Sequence, residues 1–304
     1  MRKNSVLRGF FNALIIMLVA IVVAVVGLAV VQHRSLKSLP EDPGTPLSSS
    51  PADPDDKPGL QQSKTAPWAP GTMMRLTKDY PQAGVPFEAT ECTAAMSFTG
   101  ADGQAYAVTA SHCGAVGELV WPSNGATIED YRKELGKVVY SGLYQPANGG
   151  DLSDVAIIKL TNTDRKMEVA GDAPQETVLE TASSEPQTSV CKLGGTTKQT
   201  CGKTVDKDRT YLMDNRDEGG TEVHAIGDTA QLCAQKGDSG GPLLSDQGGR
   251  TVIIGLVSGT RSDGGQPAQC GDNGAGDIMV SYVSSRAIVK AIHAVVPDAQ
   301  ITQL

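Results

Sequence analysis

The pattern of apolar and polar positions changes character twice near the N-terminus. An uncharged run from Gly9 to Val31, dominated by Leu, Ile, Val and Ala, follows Arg2, Lys3 and Arg8. As a helix rising ~1.5 Å per residue it would be roughly 34 Å long, enough to cross a bilayer core of about 30 Å. From Gln32 to Pro70 the chain turns to Pro, Ser, Asp and Gly, as in Pro43-Gly44-Thr45-Pro46-Leu47-Ser48-Ser49-Ser50. Such a stretch cannot bury enough apolar surface to offset its ordering entropy, and it reads as a disordered tether. Beyond it, short apolar runs recur between turn residues: Ala94–Phe98, Tyr106–Thr109, Glu118–Trp121, Lys137–Tyr140, Val155–Leu160, Thr251–Ser258 and Ile278–Val283. Closely spaced short strands of this kind predict an all-β domain of two small barrels. Only the tail predicts a helix, Arg286–Val296, capped by Ser284 or Ser285 and carrying Ile288, Ile292 and Val295 on one face.

The expected organisation is therefore a cytoplasmic N-terminus at 1–8, a transmembrane signal anchor at 9–31, a linker at 32–70 and a globular domain at 71–304. Cleavable signal peptides have shorter apolar cores, about 7–15 residues, ending in a small-residue site. Gly27-Leu28-Ala29 is the nearest approach to such a site, so cleavage and secretion stand as the alternative to an anchor. Arg34 and Lys37 flank the outer end and weaken the charge asymmetry that orients a span. Trp68, near the end of the linker, either docks on the domain or stays solvated.

Composition narrows the function classes. The formal net charge is −8, with acid concentrated partly between Glu41 and Asp56, and no basic stripe is present. Nucleic-acid binding is excluded on that ground, and the acidity reads as solubility. All six cysteines fall after residue 90: Cys92, Cys113, Cys191, Cys201, Cys233 and Cys270. An even count behind an export-type N-terminus points to three disulfides in an oxidising compartment, with the pairing left open by spacing alone. None forms a CxxC pair, so no metal site is expected, and no cofactor is implied.

The chemistry is concentrated in Lys236-Gly237-Asp238-Ser239-Gly240-Gly241-Pro242-Leu243. Here a small nucleophile sits between glycines on a backbone that can turn sharply and bring N–H groups up to a substrate carbonyl. A nucleophilic Ser239 needs a histidine base and an acid to orient it. Of the four histidines, His33 lies beside the apolar segment, His224 in a polar glycine-containing stretch and His293 in the tail helix. His112 ends the apolar run of Ala107-Val108-Thr109-Ala110-Ser111-His112-Cys113-Gly114. Asp154 stands directly before Val155-Ala156-Ile157-Ile158, whereas Asp151 follows Gly149-Gly150 and reads as a turn residue. The order His, Asp, Ser is that of chymotrypsin and not of subtilisins or α/β-hydrolases.

On these motifs the chain resembles the chymotrypsin-fold serine proteases, and most closely their bacterial branch of α-lytic protease and streptogrisin type. The family carries its base in Thr-Ala-(Ala/Gly)-His-Cys, from which Ser111 is a small departure. The resemblance covers roughly residues 88–296. It implies a double six-stranded β-barrel with a C-terminal helix, here preceded by the transmembrane helix. It also implies a triad of His112, Asp154 and Ser239, with an oxyanion hole made by the N–H groups of Gly237 and Ser239. The bacterial branch carries a disulfide hairpin of the form Cys-Arg-x-Gly-x-Thr-Thr-Gly…Cys-Gly, matched by Cys191 to Gly202. Lys192 stands where those enzymes keep the arginine that pairs with a buried aspartate, here Asp238. A Lys192–Asp238 ion pair would replace the new N-terminus of the animal enzymes, since no Ile-Val-Gly-Gly-like sequence is present; a solvated hairpin lysine is the alternative. The implied disulfides are Cys92–Cys113, Cys191–Cys201 and Cys233–Cys270.

Val257-Ser258-Gly259-Thr260 resembles the segment that pairs with a substrate backbone as an added strand. Ser258 is expected near the orienting acid. The pocket is expected between Cys233–Lys236, Ser258–Thr260 and the stretch before Val280. Thr260 stands where the family often has glycine, which narrows the entrance. No acid occupies the family's Arg/Lys-selecting position, although Asp277 is close in sequence to the pocket, and small or medium apolar side chains are the expected preference. The expectation is a monomeric, membrane-tethered, extracytoplasmic serine endopeptidase acting on peptide or protein substrates. An inactive protease-like binding module and an esterase of cell-envelope substrates are the competing readings.

Overall fold

The computed structural model describes residues 67–144, 152–174, 177–180, 187–207, 209–215, 221–260, 270 and 278–304, with the backbone alone at 209–215 and 221–224. The apolar segment 9–31, nearly all of the linker, His33, Asp151 and Asp277 lie outside the described residues. Among the described residues no helix is long and apolar enough to cross a membrane.

The first sheet comprises β1 (Thr72–Thr77), β2 (Thr90–Ala94), β3 (Met96–Thr99), β4 (Ala105–Thr109), β5 (Leu119–Pro122), β6 (Gly136–Ser141) and β7 (Ala156–Leu160). Their order is β2-β1-β5-β6-β7-β4-β3. Only Ala95 separates β2 from β3, so the two edges of the sheet belong to one bent stretch and the sheet closes into a six-stranded barrel. Closure leaves no unpaired edge. Apolar side chains such as Met74, Leu76, Phe98, Val108, Val138, Ile157 and Ile158 fill its core.

The second sheet comprises β8 (Val178–Leu179), β9 (Val190–Gly194), β10 (Lys198–Thr204), β11 (Arg209–Asn215), β12 (Thr221–Gln231), β13 (Pro242–Gln247), β14 (Arg250–Thr260), β15 (Met279–Ser284) and β16 (Thr302–Gln303). Pairing runs β9 to β10, β12, β15, β14, β13 and back to β9, a second closed ring of six. β11 extends the hairpin with β12, while the two-residue β8 and β16 add outside β14 in parallel. The helix α1 (Ser285–Val295) follows β15 directly and buries Ile288, Ala291 and Ile292. Ser284 occupies its N-cap in an extended conformation, but the hydroxyl makes no capping hydrogen bond.

Trp68 belongs to the fold rather than to the linker. Its side chain is 1% exposed and joins the barrel core. Its backbone N–H donates to Ser97 Oγ at 2.7 Å, and Ser97 Oγ donates back to its carbonyl at 2.7 Å. The described fold thus begins ahead of Gly71, because a large indole buries more apolar surface than the short linker pattern around it suggested.

Candidate active site

β4 and β7 pair antiparallel, with Thr109 opposite Ala156. His112 lies three residues past the end of β4, in the 3₁₀ turn Ser111–Cys113, and Asp154 lies two residues before β7. The register therefore delivers the two side chains to one point. The His112 backbone N–H donates to Asp154 Oδ1 at 2.8 Å, and its ring Nδ1 lies 2.8 Å from Asp154 Oδ2. Asp154 is fully buried and also accepts the hydroxyl of Ser258. Burial pushes its carboxyl upward, but the His112 imidazole, its two hydrogen bonds and that of Ser258 outweigh this and hold the pKa below the usual carboxylate value. An ionised carboxylate only accepts, so His112 Nδ1 carries the proton of this hydrogen bond.

Ser258 reaches Asp154 because β14 bulges between Val257 and Gly259 in its pairing with β15. A bulge re-aims one side chain out of the alternation, here towards the acid. Gly259 is half-buried and Thr260 exposed.

Ser239 sits half-buried in the loop between β12 and β13. The Thr93 backbone N–H donates to Ser239 O at 2.8 Å, and Cys113 Sγ lies 3.9 Å from the same oxygen. Cys113 is bonded to Cys92, so the turn carrying His112, the strand β2 and the Ser239 loop meet. Gly240 N–H donates to Val257 O at 2.7 Å, and Val257 N–H to Gly241 O at 2.8 Å. Gly240 has φ +82°, and a Cβ there would collide with Thr109 Oγ1 and Thr93 O. Among the described residues, the N–H groups of Gly237 and Ser239 donate to no acceptor within the chain.

Asp238 points away from the surface and is fully buried. Lys192 Nζ, equally buried, lies 3.3 Å from Asp238 Oδ2 and donates to Thr197 Oγ1 at 2.6 Å and Lys198 O at 2.8 Å. Burial pulls the Lys192 ammonium below its usual pKa, and the Asp238 carboxylate opposes that shift. The hairpin turn completes the cage: Asp238 Oδ1 accepts the N–H groups of Thr196 and Thr197 at 2.9 and 3.0 Å. Oδ2 accepts Thr197 Oγ1 at 2.6 Å and Gln235 N–H at 2.9 Å. Gly194 is required beneath it, since a Cβ there would run into the Asp238 carboxylate.

Cys191 and Cys201 stand directly opposite in the β9–β10 register and are bonded, as are Cys233 and Cys270. Leu232 N–H donates to Ile278 O at 3.1 Å, and Thr260 pairs with Val280. These contacts bring the stretch beginning at Cys233, the Ser258–Thr260 end of β14 and the start of β15 together, while 261–269 and 271–277 lie outside the described residues. His293 is exposed on α1, and His224 is described only as backbone in β12. Thr93, Thr196 and Thr197 were not legible as site residues. Thr196 and Thr197 fall on the Thr-Thr of the hairpin motif, but their contacts to the Ser239 loop, like that of Thr93, cross more than forty positions of sequence and are not written in any local string. No group of three or more His, Cys, Asp or Glu side chains among the described residues could hold a metal ion.

Two closed antiparallel barrels followed by a C-terminal helix, with a His–Asp pair and a serine loop meeting beside a disulfide, define a trypsin-like serine protease fold. The chain belongs to the trypsin family, whose model (Trypsin) matches residues 82–275. Among solved structures it is similar to the Nocardiopsis protease NAPase, with 21% identity, TM-score 0.45, and coverage of 73% of this chain and 94% of that one. Thermobifida fusca Protease A gives 19% identity and TM-score 0.46 over 77% and 97%. A glutamic acid specific serine protease gives 20% identity and TM-score 0.46 over 74% and 96%. No curated protein sequence matches the chain.

Proposed function

We propose that this chain is a membrane-tethered, extracytoplasmic serine endopeptidase. Ser239 Oγ attacks the peptide carbonyl while His112 Nε2 takes its proton. Asp154 holds the ring and stabilises the imidazolium, and the N–H groups of Gly237 and Ser239 hold the oxyanion. His112 then returns the proton to the leaving amine, and water hydrolyses the acyl-enzyme by the same route. Val257–Thr260 receives the substrate backbone, with small or medium apolar side chains entering between Cys233–Lys236 and Ser258–Thr260.

The observation that carries this reading is the Asp154 carboxylate, fully buried and spent on His112 and Ser258. A buried carboxylate that serves only to orient an imidazole has a use in base catalysis and little use in packing. The Lys192–Asp238 pair supports activity without release of a new N-terminus, because the partner such an N-terminus would supply is already inside. The apolar segment 9–31 and the three disulfides support the tether and the oxidising side of the membrane. The test treats the full chain, disulfides formed and detergent-solubilised, with a fluorophosphonate probe and locates the label by mass spectrometry. Labelling of Ser239 that Ser239→Ala abolishes is expected; a folded, fully oxidised chain that does not label overturns the reading.

A further inference from the structure

Gly237 is flanked by two peptide groups, and the carbonyl of each is held by a threonine hydroxyl from a distant part of the chain. Thr196 Oγ1 donates to Lys236 O, and Thr93 Oγ1 donates to Gly237 O at 2.8 Å. The two threonines are linked, since Gly195 N–H donates to Thr93 Oγ1 at 3.0 Å. A hydroxyl has one proton and two lone pairs, so Thr93 meets both demands at once.

The peptide group is planar, and Lys236 C=O and Gly237 N–H belong to the same plane. Holding the oxygen therefore sets where that N–H points. Nothing within the residue does this: Gly237, at φ +95°, lacks the Cβ that would restrict rotation. That missing Cβ is also what admits Thr196, whose Oγ1 would otherwise collide with it. The neighbouring donor, Ser239 N–H, shares its peptide plane with Asp238 O, which accepts Gly241 N–H at 3.0 Å.

We infer that Thr93 and Thr196 are positioning residues that clamp the Lys236–Gly237–Asp238 backbone and keep the Gly237 N–H aimed at the developing oxyanion. This rests on the reading of Ser239 and its oxyanion hole given above. Both hydroxyls are spent on backbone carbonyls, so the clamp acts on the reaction step and not on binding. Thr196 is exposed and Thr93 fully buried, so the first can be altered with little effect on the core.

The test measures kinact and KI for a fluorophosphonate probe on the full chain and on Thr196→Val, Thr93→Val, Thr196→Ser and Thr93→Ser. Both valine variants are expected to lose about 10- to 100-fold in kinact, below the full loss of one oxyanion donor, with KI within about twofold. The serine variants keep the hydroxyl and are expected to label close to the unaltered rate. Where Thr93→Val does not fold, Thr196→Val decides alone. An unchanged kinact in Thr196→Val, or an equal fall in its serine and valine variants, overturns the clamp. Failure of the unaltered chain to label overturns the reading of the site itself, and the clamp with it.

Discussion

Lys192 Nζ lies 3.3 Å from Asp238 Oδ2, and neither side chain has any solvent exposure. The ammonium has three protons and three acceptors: the carboxylate, Thr197 Oγ1 and Lys198 O. The residue after Asp238 is Ser239, so the pair fixes the chain next to the proposed nucleophile. Pairing repays desolvation only when every remaining lone pair and proton is satisfied, and here the hairpin turn supplies those partners.

Removing one member leaves the other buried and uncompensated. Lys192→Met is expected to cost about 3–5 kcal/mol, measured by denaturant unfolding with the disulfides intact. Fluorophosphonate labelling should fall as well, because the loop presenting Ser239 loses its anchor. A variant with unaltered stability and labelling would show that Lys192 is a bystander.

Asp154→Asn is expected to lower the labelling rate constant by about 10⁴-fold, since the amide presents a donor to a ring that must donate through Nδ1. The same carboxylate makes stability depend on pH. Its folded-state pKa lies below the ordinary aspartate value of 3.8, so its stabilising contribution is fully present above that value and is lost as the pH falls through the depressed one. Melting temperatures of the native chain and of Asp154→Asn should converge as the pH is lowered below about 4. A difference that stays constant into strong acid would contradict the assignment.

Gly237→Ala introduces a side chain at φ +95° and against Thr196 Oγ1. The conformational strain is about 1–3 kcal/mol, and relieving it rotates the peptide that carries one oxyanion donor. Labelling should fall by about 10²–10³-fold, the cost of losing such a donor. Retention of the full rate would place the oxyanion elsewhere.

Trp68→Ala empties a site in the barrel core and is expected to cost about 3–5 kcal/mol. A chain beginning at Gly71 should be destabilised relative to one beginning at Pro58 by a comparable amount, read by denaturant midpoint. Equal midpoints would return Trp68 to the linker.

The candidate chemistry is read from local strings along the chain. Ser239 announces itself by its glycines, His112 by the cysteine and the apolar strand before it, and Asp154 by the strand after it. The closely spaced apolar runs likewise pointed to two barrels, and a Lys192–Asp238 pairing was suggested by the Cys191–Gly202 hairpin. For Trp68 the sequence left docking and solvation open, because one indole in a polar, proline-rich stretch carries no periodicity; the structure buries it.

What the sequence determined by itself is therefore the all-β class, the identity of the candidate nucleophile, base and acid, and the residues available to bury. Tertiary structure decided how they meet. Barrel closure at Ala95 required seeing β2 and β3 as one strand, and the bulge at Ser258 required the register of β14 against β15. The Thr93 contact to Gly237 required the two barrels to come together, and that of Thr196 to Lys236 required two loops of the second barrel to meet. Side-chain type and short spacing are written in a local string, whereas hydrogen bonds that cross a hundred residues, as between Thr93 and Gly237, exist only once chain closure has brought their ends within 3 Å.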